Sequence, residues 1–217
     1  MRITIMNASP KGDNSTSKQL IDRLIPFLGE DEYGILHVNP NMDEKLALTA
    51  ANLSDAWIIV SPIYISGLPS SMTALMDLLE AKAGRQGVKV AAILQSGFYE
   101  KENCQPAMEL IQYWCRRNGY TFAGGFGLGG GSALQGMTKV KTGKSFLKPL
   151  RPAYQDLMQA LRSGEEKENF FSIGMPKWFY VWMAERQWKK QIHAQGLETK
   201  DLAYQPKDTN ENFSKNN

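Results

Sequence analysis

Asn7-Ala8-Ser9-Pro10-Lys11-Gly12-Asp13-Asn14-Ser15-Thr16-Ser17 decides how the rest of the chain is read. It follows Arg2-Ile3-Thr4-Ile5-Met6, a short run with the pattern of a buried strand. After it, Leu20, Ile21, Leu24, Phe27 and Leu28 recur at helical spacing. A strand therefore enters a polar loop, and the loop enters a helix. The N–H groups of a helix's first turn have no partner within the helix, and the helix dipole adds partial positive charge there. Ser9, Asn14, Ser15 and Thr16 offer further donors, and Lys11 offers a full charge. The stretch reads as a cradle for a phosphate group. The same residue types also cap helices without any ligand, so the loop alone leaves both readings open. No GxxxxGK[ST] occurs here, so nucleotide triphosphate hydrolysis is not indicated. No GxGxxG occurs at this turn either, so the usual dinucleotide fingerprint is missing.

The chain has 217 residues, which suits one α/β domain with some decoration. An apolar share of 42% is enough for one sizeable core. The net charge of +3 is mildly basic and lacks the basic stripe of a nucleic-acid binder, so no nucleic-acid partner is expected. The 2 cysteines, Cys104 and Cys115, fall in one predicted helix and match no zinc or iron–sulfur spacing, so no metal is expected. The N-terminus enters a strand at once, with no signal peptide and no long uncharged apolar run. The expectation is a soluble cytoplasmic protein without membrane contact.

Five strands are expected, near Arg2–Asn7, Tyr33–Val38, Asp55–Ser61, Val88–Leu94 and Tyr120–Leu128. Helices are expected from Asn14 to about Pro26, where proline should kink or end the helix, and over Asp43–Asn52. Others are expected from Pro69 onward, over Asn103–Asn118 and over Leu147–Leu161. Strand–helix alternation of this kind implies a doubly wound, mostly parallel sheet. Three segments follow: a main domain over 1–165, an amphipathic helical extension over 166–200, and a polar, disordered tail over 201–217. In such sheets ligands bind beyond the carboxyl ends of the strands, near the point where the strand order reverses. The loops after strands one, three and four are therefore the ones to read.

The loop after strand three is Ser61-Pro62-Ile63-Tyr64-Ile65-Ser66-Gly67-Leu68-Pro69. Its prolines stiffen it, and Ile63, Tyr64 and Ile65 are large and apolar at the ligand end of the sheet. A planar aromatic ligand would be covered well by such a surface, and agreement with the first loop favours that over simple packing on the next helix. After strand four comes Gln95-Ser96-Gly97-Phe98-Tyr99-Glu100. Gly97 permits close backbone approach to a ligand, and Phe98 or Tyr99 would wall one side of a ring; a routine strand-to-helix turn fits equally well.

These residues carry a resemblance. Residues 7–16 resemble the N-G-S-P-R-x-x-x-N-T loop of flavodoxin-like NAD(P)H-dependent flavin reductases, and Pro62 to Pro69 resembles their P-x-Y-x-x-x-x-P loop. The likeness runs from strand one to about Ala160. It implies a flavodoxin-like three-layer sandwich with five parallel strands in the order 2-1-3-4-5. It also implies FMN as cofactor, with its phosphate held by Ser9, Lys11, Ser15 and Thr16, helped by Asn14. The ring would lie against Pro62, Ile63, Tyr64, Ile65 and Ser66, and against Ser96, Gly97 and Phe98. The resemblance further implies NADPH or NADH as electron donor, a quinone, a nitro or azo compound or free flavin as acceptor, and a homodimer or homotetramer. Ala8 replaces the family's usual glycine and Lys11 its usual arginine, which keeps the charge but loses the planar fork. Flavin carries the redox chemistry in such proteins, so no catalytic side chain is named. Two alternatives stand beside this reading. One is a flavodoxin-type electron carrier, which this chain's basic charge disfavours. The other is a flavin-less interaction module on the same fold.

Two features lie outside it. Gly125-Phe126-Gly127-Leu128-Gly129-Gly130 satisfies GxGxxG but follows strand five, and it reads as a flexible bend at a sheet edge. Gly143-Lys144-Ser145 ends like a P-loop at the wrong spacing and reads as a solvated basic loop. Over Met175–Gln195, Trp178, Val181, Trp182, Trp188 and Ile192 fall on one helical side. Packing on the protein itself is the first reading, an intersubunit arm the second, and a membrane surface the third, since Glu185 interrupts the stripe.

Overall fold

A computed structural model describes residues 1–83 and 86–204. β1 (Arg2–Asn7), β2 (Glu32–His37), β3 (Ala56–Ile63), β4 (Lys89–Ser96), β5 (Thr121–Gly129) and β6 (Lys167–Ser172) form one sheet in the order 2-1-3-4-5-6. Every pairing is parallel. The helices are α1 (Thr16–Leu28), α2 (Glu44–Leu53), α3 (Ser70–Lys82), α4 (Gln105–Arg117), α5 (Leu150–Ser163) and α6 (Lys177–Ala194).

The continuous apolar runs became the central strands. All eight residues of β3 are buried, as a parallel strand covered on both faces requires. On one face α2, α3 and α4 close a core around Trp57. The Trp57 indole N–H donates to the Ala51 carbonyl at 3.2 Å, and its ring meets Tyr120 edge-on at 4.9 Å. On the other face lie α1 and α5. There the buried Tyr154 ring packs 5.2 Å from Phe27 and 5.3 Å from Phe126, and its hydroxyl donates to the Leu20 carbonyl at 2.8 Å. Burial pushes the pKa of that phenol well above the ordinary tyrosine value.

The sheet has six strands rather than five, and β6 lies in the segment expected to open a helical extension. Two compact units divide at Met175/Pro176, so the strand belongs with the sheet. Its sequence, Lys-Glu-Asn-Phe-Phe-Ser, gives no buried-strand signal because it is a half-exposed edge. Its connection is also unusual. The steps β1 to β2 and β5 to β6 run in opposite directions along the sheet, yet α1 and α5 share a face. The steps β3 to β4 and β4 to β5 use the other face and share a hand with the first. Taking the usual right hand for those three, the β5–α5–β6 crossover is left-handed.

The glycine-rich run is therefore no edge bend. Gly125 sits inside β5 with φ +140, and a Cβ there would overlap the Ala92 carbonyl of β4. Gly124 likewise gives way to the backbone of Lys167 on β6. These glycines let three strands close up. Pro26 neither ends nor breaks α1, which runs on to Leu28. It lies in the last turn, so only two residues of helix follow it.

In the second unit, most of the expected apolar side of α6 is exposed: Trp178, Val181, Trp182 and Trp188 are exposed, Trp178 and Trp188 by 72% and 64%, while Ile192 on that side and Tyr180 are buried. Phe179 stacks on Trp182 at 5.8 Å, and the Arg186 guanidinium lies 5.6 Å from the Trp182 ring. Of the expected disordered tail, residues 201–203 belong to a short 3-10 helix over Thr199–Ala203, and 205–217 lie outside the described residues.

Gly125→Ala is expected to destabilise the protein by about 3 kcal/mol or more, from combined overlap and left-handed backbone strain. Urea unfolding measures this; a loss under about 1 kcal/mol would mean that β4 and β5 are not packed this closely.

Candidate functional site

The chain leaves β1 towards β2 and leaves β3 towards β4, in opposite directions. A crevice opens between neighbouring strands where this happens. Three loops border it, from the adjacent strands β1, β3 and β4.

The first loop is organised by Asn7, the fully buried last residue of β1. Its Oδ1 accepts from the Ser9 N–H at 3.2 Å, and its Nδ2 donates to the Gly12 carbonyl at 3.4 Å. Ser9 Oγ accepts from the Lys11 N–H at 3.4 Å. Ser15 is the N-cap of α1: its Oγ accepts from the Lys18 N–H at 3.0 Å and donates to the Gly12 carbonyl at 2.6 Å. The Ser15 hydroxyl is thus committed to shaping the loop. The amide N–H groups of Ser15, Thr16 and Ser17 have no partner among the described residues. Ser17 Oγ is buried and also lacks one. Ser9 and Thr16 are buried, whereas the Lys11 and Asn14 side chains stand in solvent. A cluster of free donors at a helix N-terminus, with a lysine beside it, suits a phosphate dianion.

The second loop differs from expectation at its start. Pro62 and Ile63 complete β3, and the Ile63 side chain belongs to the core beside α3. The turn proper is Tyr64 to Gly67. Tyr64 and Gly67 exchange both backbone hydrogen bonds, each at 3.0 Å. The two residues between them have positive φ, Ile65 at 49° and Ser66 at 62°. Such two-residue turns ordinarily take Asn and Gly. A β-branched residue there is strained, and Ile65 is also 100% exposed. Strain and exposure together at a ligand-end loop make Ile65 a candidate site residue.

In the third loop Ser96 is buried and its Oγ accepts from the Phe98 N–H at 3.1 Å. Phe98 is held outward, 68% exposed. Tyr99 is turned away from the role considered for it as a wall of the ring: its hydroxyl donates to the Met175 carbonyl at 2.8 Å, and its carbonyl accepts from Ser172 Oγ at 2.6 Å. Ile63 and Ser96 are register partners, so Tyr64, Ile65 and Phe98 project from adjoining strand ends. They give these two loops an exposed apolar character.

The structure thus brings Ser9, Ser15 and Thr16 together at one cradle, and Tyr64, Ile65, Ser66, Gly97 and Phe98 onto neighbouring loops. Asn7 and Ser17 were not singled out from the sequence. An Asn ending a buried strand before a Ser-rich loop was the available signal for the first. Nothing in the sequence separates Ser15 from Ser17. Cys104 and Cys115 take no part, since burial pushes both thiols up to about 12. Among the described residues no helix is long and apolar enough to cross a membrane.

No protein-family model matches the sequence, and no curated protein matches it. Solved structures do. RosB, whose structure holds the bound intermediate 8-demethyl-8-formylriboflavin-5'-phosphate, aligns at a TM-score of 0.56 and 13% identity, over 96% of this chain and 95% of that one. A flavodoxin, WrbA-like protein from Agrobacterium tumefaciens, aligns at 0.51 and 11% identity, over 75% and 96%. The fold is flavodoxin-like, extended by a sixth parallel strand.

Replacing the strained pair by Ile65→Asn with Ser66→Gly is expected to raise unfolding stability by about 1 kcal/mol. Urea midpoints of the flavin-free protein would show it, and a loss of stability would mean that the turn carries no strain. Native protein at pH 8 is expected to leave both thiols unreacted with a disulfide reagent and to expose them only on unfolding. Fast labelling of either native thiol would contradict their burial.

Proposed function

We propose that this chain is an FMN-dependent oxidoreductase that uses NADPH or NADH and reduces a small acceptor of the quinone, nitro, azo or free-flavin class. The carrying observation is the pairing of two unlike surfaces at one crevice. A set of unpartnered donors lies on the first loop, and exposed apolar side chains lie on the next two.

The donor set fits a terminal phosphate. The amides of Ser15, Thr16 and Ser17, the hydroxyls of Ser9 and Thr16, and the Lys11 ammonium would bind it. Ser17 Oγ, orphaned inside the protein, would gain the partner it lacks. Tyr64, Ile65 and Phe98 would cover the ring and keep water from it, with the turn at Ser66 and the backbone at Gly97 bordering its polar edge. When bound, FMN supplies the hydride-accepting chemistry, and the chain supplies position and exclusion of solvent. No side-chain acid or base is assigned. The flavin phosphate named for RosB supports a mononucleotide over a dinucleotide.

The electron-carrier reading predicts an acidic docking surface, and the net charge here is +3. The two readings part on one measurement. Purified protein given FMN and then NADPH or NADH without oxygen is expected to show flavin absorbance that bleaches. Bands that persist with both donors would indicate a carrier. Failure to retain FMN would remove the proposal and return the 7–16 loop to the role of helix cap.

A further inference from the structure

A second cavity lies along the flank of α1, against the loop of residues 138–142, and measures about 510 Å³. Arg23 builds it. The guanidinium Nη1 and Nη2 donate to the carbonyls of Val140 and Met137, each at 2.7 Å, and so pin the loop to the helix. Lys139, Lys141 and Arg151 line the opposite wall, and Pro26 and Phe27 give an apolar side. Asp22 is the one acid in the lining, and Lys18 already takes it at 2.5 Å. Lys139, Lys141 and Arg151 make no ion pair among the described residues.

Two polar atoms of this wall are buried without a partner, Arg23 Nε and Gln19 Oε1. A buried N–H that no carbonyl accepts is costly to leave unmade. Cations gathered round one cavity also repel one another unless an anion shares them. The cavity therefore has the charge and the apolar wall of a binding site.

We propose that this cleft binds a phosphomonoester group of a molecule that also carries a planar ring. Lys139, Lys141 and Arg151 face the phosphate, and the Phe27 side faces the ring. Two molecules carry this chemistry: the 2'-phosphate end of NADPH, and free FMN acting as substrate. The choice between them rests on the flavin-reductase reading; the site itself does not.

The test is calorimetric titration of the full chain already saturated with FMN. The probes are adenosine 2',5'-bisphosphate, further FMN, and inorganic phosphate. One saturable site is expected, at least about tenfold tighter for a ring-bearing probe than for phosphate. The double variant Lys141→Glu with Arg151→Glu should weaken it about tenfold or more while circular dichroism stays unchanged. Tighter binding of the bisphosphate assigns the site to the nicotinamide donor, and tighter binding of FMN assigns it to a flavin substrate. No binding overturns the proposal. So does affinity that the variant leaves unchanged, or phosphate binding as tightly as the other probes. Should the chain fail to retain FMN, the same titration on flavin-free protein still reads the cleft, so the two proposals fail separately.

Discussion

The structure depends on a division of direction between two neighbouring strands. β1 is paired with β3 from Ile3 to Asn7, yet one sends its chain towards β2 and the other towards β4. Their loops must therefore part, and no crossover can cover the gap. What fills the borders of that gap follows from burial. The strands beneath are packed on both faces, so their last residues are fixed. Asn7 is the case in point: with its amide locked between the Ser9 N–H and the Gly12 carbonyl, it turns the chain sharply enough to aim the first turn of α1 back at the crevice.

A folded chain of this kind keeps only about 5–15 kcal/mol of net stability. Yet the fold keeps several unfavourable features. Ile65 holds a left-handed backbone at a cost on the order of 1–3 kcal/mol. Ser17 Oγ, Gln19 Oε1 and Arg23 Nε on α1 and Trp114 Nε1 on α4 are buried without partners among the described residues. The face around Trp57 is close-packed with three aromatic rings and a paired indole nitrogen. Burial is thus uneven in what it satisfies: Ser15 and the Trp57 indole are paired, whereas Ser17 Oγ and Trp114 Nε1 are not among the described residues.

The same contrast explains how much could be read beforehand. Strands covered on both faces need uninterrupted apolar sequence, so Asp55–Ser61 and Val88–Leu94 announced β3 and β4; strand–helix alternation pointed to a parallel sheet, and the resemblance implied the order of the first five. β6 was illegible because an edge strand needs only one covered face. Lys167 and Glu168 are exposed, and the crossover leading to it has the uncommon hand. The glycines of β5 misled for a related reason. Their purpose is backbone approach between strands, which local sequence does not distinguish from a phosphate-binding turn. At the site, residue type was readable and residue role was not. Ile63 and Ile65 differ by two positions, but one lies in the core and the other stands fully in solvent. Only the register of β3 with β4 decides which is which.

The ionisable groups that the fold perturbs most lie where no reaction can use them. Cys104 and Cys115 are buried on the α4 side of the sheet, and Tyr154 lies between α5 and α1 with its hydroxyl already given to Leu20. Burial alone accounts for the upward shift of Cys115, and for Cys104 it outweighs the opposing hydrogen bonds. A thiolate nucleophile would need the reverse surroundings, a nearby cation or a helix N-terminus with access to solvent. The helix N-terminus that is available faces the crevice, and serines and a threonine occupy it. Such groups bind and orient an anion but take no proton at neutral pH. On the loops bordering the crevice, Tyr64, Ile65 and Phe98 present exposed side chains that the packing of the fold itself does not require.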